Sequence, residues 1–215
     1  MFSAVVRLTS RRRRVAPYND AMSADPPYSG LTPDTVLDAL ESAGVRGDGR
    51  LLALNSYENR VYQVWLDSEA GLETVVSIVA KFYRPGRWTD AQILEEHAFA
   101  CELVEREIPV VAPLSIDAKT LHAFGGFRFA VYPRRGGRTP ELEDPDTLQW
   151  MGRFIGRIHA VGATRPFAER PALDIESFGH DPRRWLLEHD FIPADLLEAW
   201  TGAVDLALAS VARCY

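Results

Sequence analysis

Apolar positions in this chain follow two periods, and the change between them divides it. Thr32-Pro33 reads as the N-cap and first residue of a helix, with Val36, Leu37, Leu40 and Ala43 on one face and Gly44 as its stop. Residues 51–55 and 60–66 then alternate as strands joined by a short polar turn. Residues 73–83 form a third strand, apolar enough to be central, which Arg84-Pro85-Gly86 breaks. Thr89 caps a second helix running to about Arg106, with Ile93, Leu94, Phe99, Ala100, Leu103 and Val104 facing inward. Pro109 and Pro113 bracket an extended link, after which residues 114–117 and 127–132 pair as strands across a turn holding Gly125-Gly126. This order predicts an α+β lobe over residues 31–133, a five-stranded antiparallel sheet with one helix packed across it.

Beyond Pro133 the strand pattern is gone. Arg134-Arg135-Gly136-Gly137-Arg138 reads as a linker, and residues 134–215 read as helix or loop. Leu148, Met151, Phe154, Ile155 and Ile158 make one helical stripe; Leu197, Trp200, Val204, Leu208 and Val211 make another. No internal repeat appears.

Charge separates the first thirty residues from the rest. They carry five arginines, four of them at 11–14, against two aspartates, while the whole chain stands at −6. Residues 1–30 are expected to be a disordered Arg-rich leader, and Met22 is a candidate natural start. The patch Ala4-Val5-Val6 is too short for a secretory signal. The acidic remainder, without a lysine-rich face, argues against a nucleic-acid binder. No apolar run approaches the ~18 residues of a membrane helix. Cys101 and Cys214 have neither metal-ligand spacing nor a disulfide pattern. These features predict a soluble protein of the reducing cytoplasm, with no membrane and no nucleic-acid partner.

Lys81 is the residue that most narrows the chemistry. The chain has only two lysines among its 24 basic residues, and Lys81 ends the apolar run Val75-Val76-Ser77-Ile78-Val79-Ala80. A desolvated ammonium costs several kcal/mol, roughly, unless it meets a counter-charge or a bound anion. Glu95 and Glu96 follow on a helix. Glu96 is the preferred partner, since Phe99, Ala100 and Leu103 at +3, +4 and +7 put it beside the inward stripe; Glu95 is the fallback. A lysine snorkelling from a strand end is the competing explanation. In the turn Asn55-Ser56-Tyr57-Glu58-Asn59-Arg60, Ser56 and the backbone N–H groups suit either phosphate oxygens or a plain hairpin.

In order, these pieces resemble the aminoglycoside-phosphotransferase-like kinases, and among them the bacterial stress-response kinase A proteins. The stretches that carry the resemblance are Leu54-Asn55-Ser56-Tyr57-Glu58-Asn59-Arg60-Val61-Tyr62-Gln63-Val64, Lys81-Phe82-Tyr83-Arg84-Pro85, Gln92-Ile93-Leu94-Glu95-Glu96-His97 and Phe129-Ala130-Val131-Tyr132-Pro133. Met151–His159 is similar to the family's Leu/Ile-His helix, and the resemblance runs from about Leu31 to the end. It implies a protein-kinase-like N-lobe followed by an incomplete helical C-lobe, using ATP and Mg²⁺. By resemblance, Lys81 meets the α/β-phosphates and a helix glutamate, Ser56 contacts ATP, and Tyr132-Pro133 is the hinge that reads adenine. Arg134, Arg135 and Arg138 either border that cleft or belong to a solvated linker.

The family's His-Gly-Asp catalytic loop is not found, and no asparagine follows Asn59. Gly179-His180-Asp181 is a scrambled near-miss, with Leu186 five residues after Asp181 where the family has asparagine. His159 reads as a core residue ending its stripe rather than a base, and Glu188-His189-Asp190 lacks a usefully spaced partner. No catalytic residue and no metal ligand is therefore assigned, and the chain is expected to be the N-terminal portion of a larger kinase, inactive alone. The resemblance implies transfer of the γ-phosphoryl of Mg·ATP to serine or threonine hydroxyls of a protein substrate by the intact enzyme, expected to be monomeric. Association is open to a truncated chain. Two alternatives stand beside this: a kinase acting on an aminoglycoside, homoserine or choline, and a non-catalytic nucleotide-binding fragment.

Overall fold

The computed structural model describes residues 26–67 and 76–214. Most of the expected leader, and residues 73–75 of the expected third strand, lie outside them. The described residues form two compact units, 26–171 and 172–214.

Helix α1 (Pro33–Ser42) starts where its cap predicts: Thr32 Oγ1 accepts from the Thr35 N–H at 3.2 Å, and Gly44 ends the turn at φ +79°. Strands β1 (Gly47–Leu54), β2 (Arg60–Leu66) and β3 (Ser77–Tyr83) follow, then helix α2 (Asp90–Glu105), and strands β4 (His122–Phe124) and β5 (Phe127–Pro133). They form one antiparallel sheet in the order β1-β2-β3-β5-β4, so β3 is central, as its apolar run predicts. The strand after Gly44 begins earlier than residue 51. A register shift between Gly47 and Leu51 lets it do so, with Gly49 at φ +94° inside the irregularity.

Two expectations are corrected. Residues 114–117 do not form the strand paired with β5. Leu114 still donates to the Val131 carbonyl at 2.7 Å, but Asp117 and Ala118 take positive φ and turn the chain back between Ile116 and Lys119. The partner strand is the three-residue β4, reached just afterwards. Second, two helices cover the sheet rather than one. Alternation along β3 sends Ile78, Ala80 and Phe82 into the main core with Val36 and Leu40 of α1. Tyr83 joins Ile93 of α2 and Ala130 of β5 in a separate cluster. On α2, Leu94 and Val104 are exposed, and the buried positions are Ile93, His97 and Leu103.

Helix α3 (Pro145–Gly162), capped by Asp144, belongs to the same unit and packs Phe154, Ile158 and Val161 with Leu103 and Ile108. His159 is not a core residue; it is exposed beside that contact. In the second unit, a π-helical turn (Glu176–His180) leads into α4 (Asp181–Glu188) and then α5 (Leu197–Val211), where Trp200, Val204 and Leu208 are half-buried. Among the described residues no helix is long and apolar enough to cross a membrane.

Candidate functional site

Because side chains alternate along β3, the residues that avoid the α1 core are Val79, Lys81 and Tyr83, and of these Lys81 and Tyr83 meet α2. Thr89 begins α2 with a reciprocal cap: its Oγ1 accepts from the Gln92 N–H, and Gln92 Oε1 accepts from the Thr89 N–H. That start fixes the helix register and decides which glutamate reaches the sheet. Lys81 Nζ donates to Glu96 Oε1 at 3.1 Å, with 23% of the lysine side chain and 36% of the glutamate side chain exposed. The ammonium also lies 4.6 Å from the Tyr83 ring centroid. At this exposure the pair itself contributes on the order of 1 kcal/mol. Its importance is therefore positional.

The ion pair stands on the wall of a cavity of about 390 Å³, within the usual range for small-molecule sites. Apolar side chains supply much of the rest: Val61 and Val79 from the sheet, Val111 and Pro113 from the link, and Tyr132-Pro133 at the end of β5. Arg135 also reaches it. A largely apolar cavity with the Lys81 ammonium and Arg135 on its wall suits a ligand with an apolar part and an anionic part.

Under the cavity lies a polar cluster. Tyr83 Oη is 2.7 Å from His97 Nε2 and 3.1 Å from Tyr132 Oη, and His97 Nδ1 is 2.9 Å from Thr120 Oγ1. Burial pushes the His97 pKa down to about 4, with Glu96 opposing and Lys81 adding to the shift, so the ring is neutral at pH 7. Burial likewise pushes the Tyr132 phenol up to about 12.

Of the residues expected at the site, Lys81, Glu96, Tyr132 and Pro133 line this one cavity. Ser56 does not. It is exposed on the β1–β2 connection, which is tied instead to the turn after β3 by Glu58–Arg87 at 2.7 Å and by Asn59 Oδ1 accepting from the Arg84 N–H. Glu95 points elsewhere: its carboxylate accepts from the N–H groups of Ala168, Glu169 and Arg170 at 2.6, 2.9 and 2.7 Å. Burial works against that charge, yet the three donors hold its carboxyl below the ordinary range.

The other polar motifs have structural occupations. Asp181 starts α4 and accepts from Arg184 at 2.7 Å, while His189 stacks on Trp185 at 4.2 Å. Among the described residues, no group of three or more His, Cys, Asp or Glu is placed to hold a metal ion. His97, Tyr83 and Arg170 went unassigned in the sequence. His97 follows Ile93 by four on α2, and Tyr83 follows Lys81 by two on β3, so helical and strand spacing could have found both. Arg170, whose Nη1 donates to Glu96 Oε2 at 3.0 Å, is 74 residues away in sequence and gave no such signal.

Comparison with known proteins bears on the family and the fold. The chain is 40% identical over 188 residues to a stress response kinase A of Salmonella choleraesuis, an alignment spanning 87% of this chain and 56% of that protein. It is 43% identical over 184 residues to the stress response kinase A of Shigella flexneri (86% and 54%). With the serine/threonine protein kinase RdoA of Salmonella typhimurium it shares 40% identity over 188 residues (87% and 56%). The chain thus spans about half the length of these curated relatives. Among solved structures, amicoumacin kinase hAmiN, in complex with AMP-PNP, Ca²⁺ and Ami, superposes with a TM-score of 0.61 at 19% identity, covering 83% of this chain and 53% of that one. That likeness supports the α+β kinase-like fold. Residues 50–213 match the phosphotransferase enzyme (APH) family, and the chain belongs to that family.

Proposed function

We propose that this chain carries the ATP-binding part of a protein serine/threonine kinase. The observation that carries the reading is Lys81, paired with Glu96, on the wall of an otherwise largely apolar cavity closed by Tyr132-Pro133. The residues present fit ATP. Val61, Val79 and the Tyr132 region would hold the adenine ring, with backbone groups at the hinge reading its edge. The Lys81 ammonium would meet the α- and β-phosphates while Glu96 keeps it oriented. Bound Mg·ATP supplies the transferable γ-phosphoryl group; in kinases, positioning and charge stabilisation do most of the catalytic work. The chain's own contribution is to bind and orient the nucleotide.

Protein hydroxyls are the proposed acceptors because the relatives that share about 40% identity are named as stress response and serine/threonine protein kinases. The small-molecule alternative rests on a likeness of fold at 19% identity. No base is assigned here, since the sequence has no His-Gly-Asp.

Titration with AMP-PNP and Mg²⁺ by calorimetry tests the reading. Binding by the wild-type chain, weakened at least about tenfold in Lys81→Met, is expected. Turnover of ATP should be absent in both. Equal affinity in the two proteins, or no binding in either, contradicts the proposal. The acceptor class is read from a chimera whose C-terminal part comes from a stress response kinase A relative. Phosphoserine or phosphothreonine on a protein is the predicted product, and phosphorylation of small hydroxyl compounds alone would overturn that part.

A further inference from the structure

The segment after α3 is fastened along one face of α2. Gln92, Glu95 and Glu96, at i, i+3 and i+4, all reach it. Gln92 Nε2 donates to the Glu169 carbonyl at 3.0 Å, and the Glu95 carboxylate collects three consecutive N–H groups from Ala168 to Arg170. Three successive amides converging on one carboxylate orient the backbone, and with it the side chain at Arg170. That guanidinium is 4.2 Å from the Trp88 ring and donates to Glu96 Oε2, while Glu96 Oε1 accepts from Lys81. One carboxylate therefore bridges two cations, one facing the cavity and one on the fastened segment. A glutamate held by Lys81 alone would keep its rotamer freedom. Held at both oxygens, it has one orientation. Arg170 also neutralises part of the Glu96 charge, so the ammonium keeps donors for an arriving anion.

We infer that Arg170 and Glu95 are positioning residues for the nucleotide site: the segment 168–170 fixes Glu96, and through it Lys81. The inference rests on the proposed ATP site but has its own readout. In kinases the lysine–glutamate pair forms only when the helix is correctly placed. Here residues of the same compact unit supply that placement.

The test uses the full chain with two measurements. In the first, AMP-PNP affinity is measured beside the thermal midpoint, at a temperature where every variant is folded. Arg170→Ala is expected to weaken binding about fivefold to tenfold, and Arg170→Lys, which keeps a donor for Glu96, to recover most of it. A role confined to stability would lower the midpoint and leave the affinity of the folded protein unchanged. The second measurement needs no nucleotide. With two lysines in the chain, ¹³C-lysine labelling gives two Cε resonances. Arg170→Ala should move that of Lys81 and leave that of Lys119. If Arg170→Ala does not fold, Glu95→Gln, which weakens the acceptor for the three amides, must shift the same resonance. Wild-type affinity together with an unmoved Lys81 resonance overturns the inference. Should the wild-type chain bind no AMP-PNP, the ATP reading fails, and the lysine resonance alone still decides whether segment 168–170 governs Lys81.

Discussion

At the scale of single residues, the site is a matter of which charges burial permits. Lys81 is one of two lysines in a chain otherwise supplied with arginine, and it keeps its ammonium partly exposed beside a carboxylate shared with Arg170. His97 shows the opposite outcome. It is 2% exposed, bonded through both ring nitrogens, and held neutral with its pKa near 4. Because the native pKa lies below the unfolded value of about 6.5, the unfolded chain binds a proton that the native chain refuses between those values. The contribution of neutral His97 is therefore fully present above about pH 6.5 and is lost as pH falls toward 4. A His97→Gln variant lacks that proton. The wild-type advantage in thermal midpoint should shrink as pH is lowered from 7 to 4.5, and a gap that stays constant would show that the ring does not titrate this way. The residue-level site was half legible. Lys81 and Glu96 stand out because composition and periodicity single them out, whereas the acceptors of Arg170 depend on a contact that no local pattern encodes.

At the scale of elements, caps and periodicity specified most of the first unit. Thr32-Pro33 and Thr89 begin α1 and α2 as their sequences predict, and the apolar run ending at Tyr83 is the central strand. The error fell where local chemistry overrides alternation. Residues 114–117 look like a strand, but Asp117 and Ala118 adopt left-handed backbone and reverse the chain. β4 has three residues, too few to show a period. The inward face of α2 was also partly misjudged: counting hydrophobic residues favours Leu94 and Val104, yet His97 is buried because Tyr83 and Thr120 satisfy it. Since α2 carries Glu95, Glu96 and His97, its first turn matters beyond its own stability. Thr89→Ala removes the acceptor for the Gln92 N–H and should cost about 1 kcal/mol in urea unfolding. A change below a few tenths would mean that the cap is redundant with tertiary packing.

At the scale of the whole molecule, the two units differ in how they spend their apolar residues. The first buries Phe82, Phe129 and Ile78 almost completely between α1 and the sheet. The second has no buried residue in α4 or α5, and Phe178, Trp185, Phe191 and Leu206 stay exposed. The helical stripes were visible in sequence, but a stripe says only that a face wants cover, not what supplies it. The expectation of phosphoryl transfer by a larger protein likewise rests on relatives of which the alignment with this chain spans only 56% and 54%. The first unit stands independently of that. Its ion pair and cavity both lie within residues 26–171, and the proposal built on them is that a nucleotide binds with its phosphates at Lys81. The two-lysine composition gives the most direct test. In ¹³C-lysine-labelled protein, assigned by Lys119→Arg, saturating AMP-PNP with Mg²⁺ should shift the Lys81 resonance and leave that of Lys119 in place. An unmoved Lys81 resonance under conditions where AMP-PNP is bound would contradict the claim.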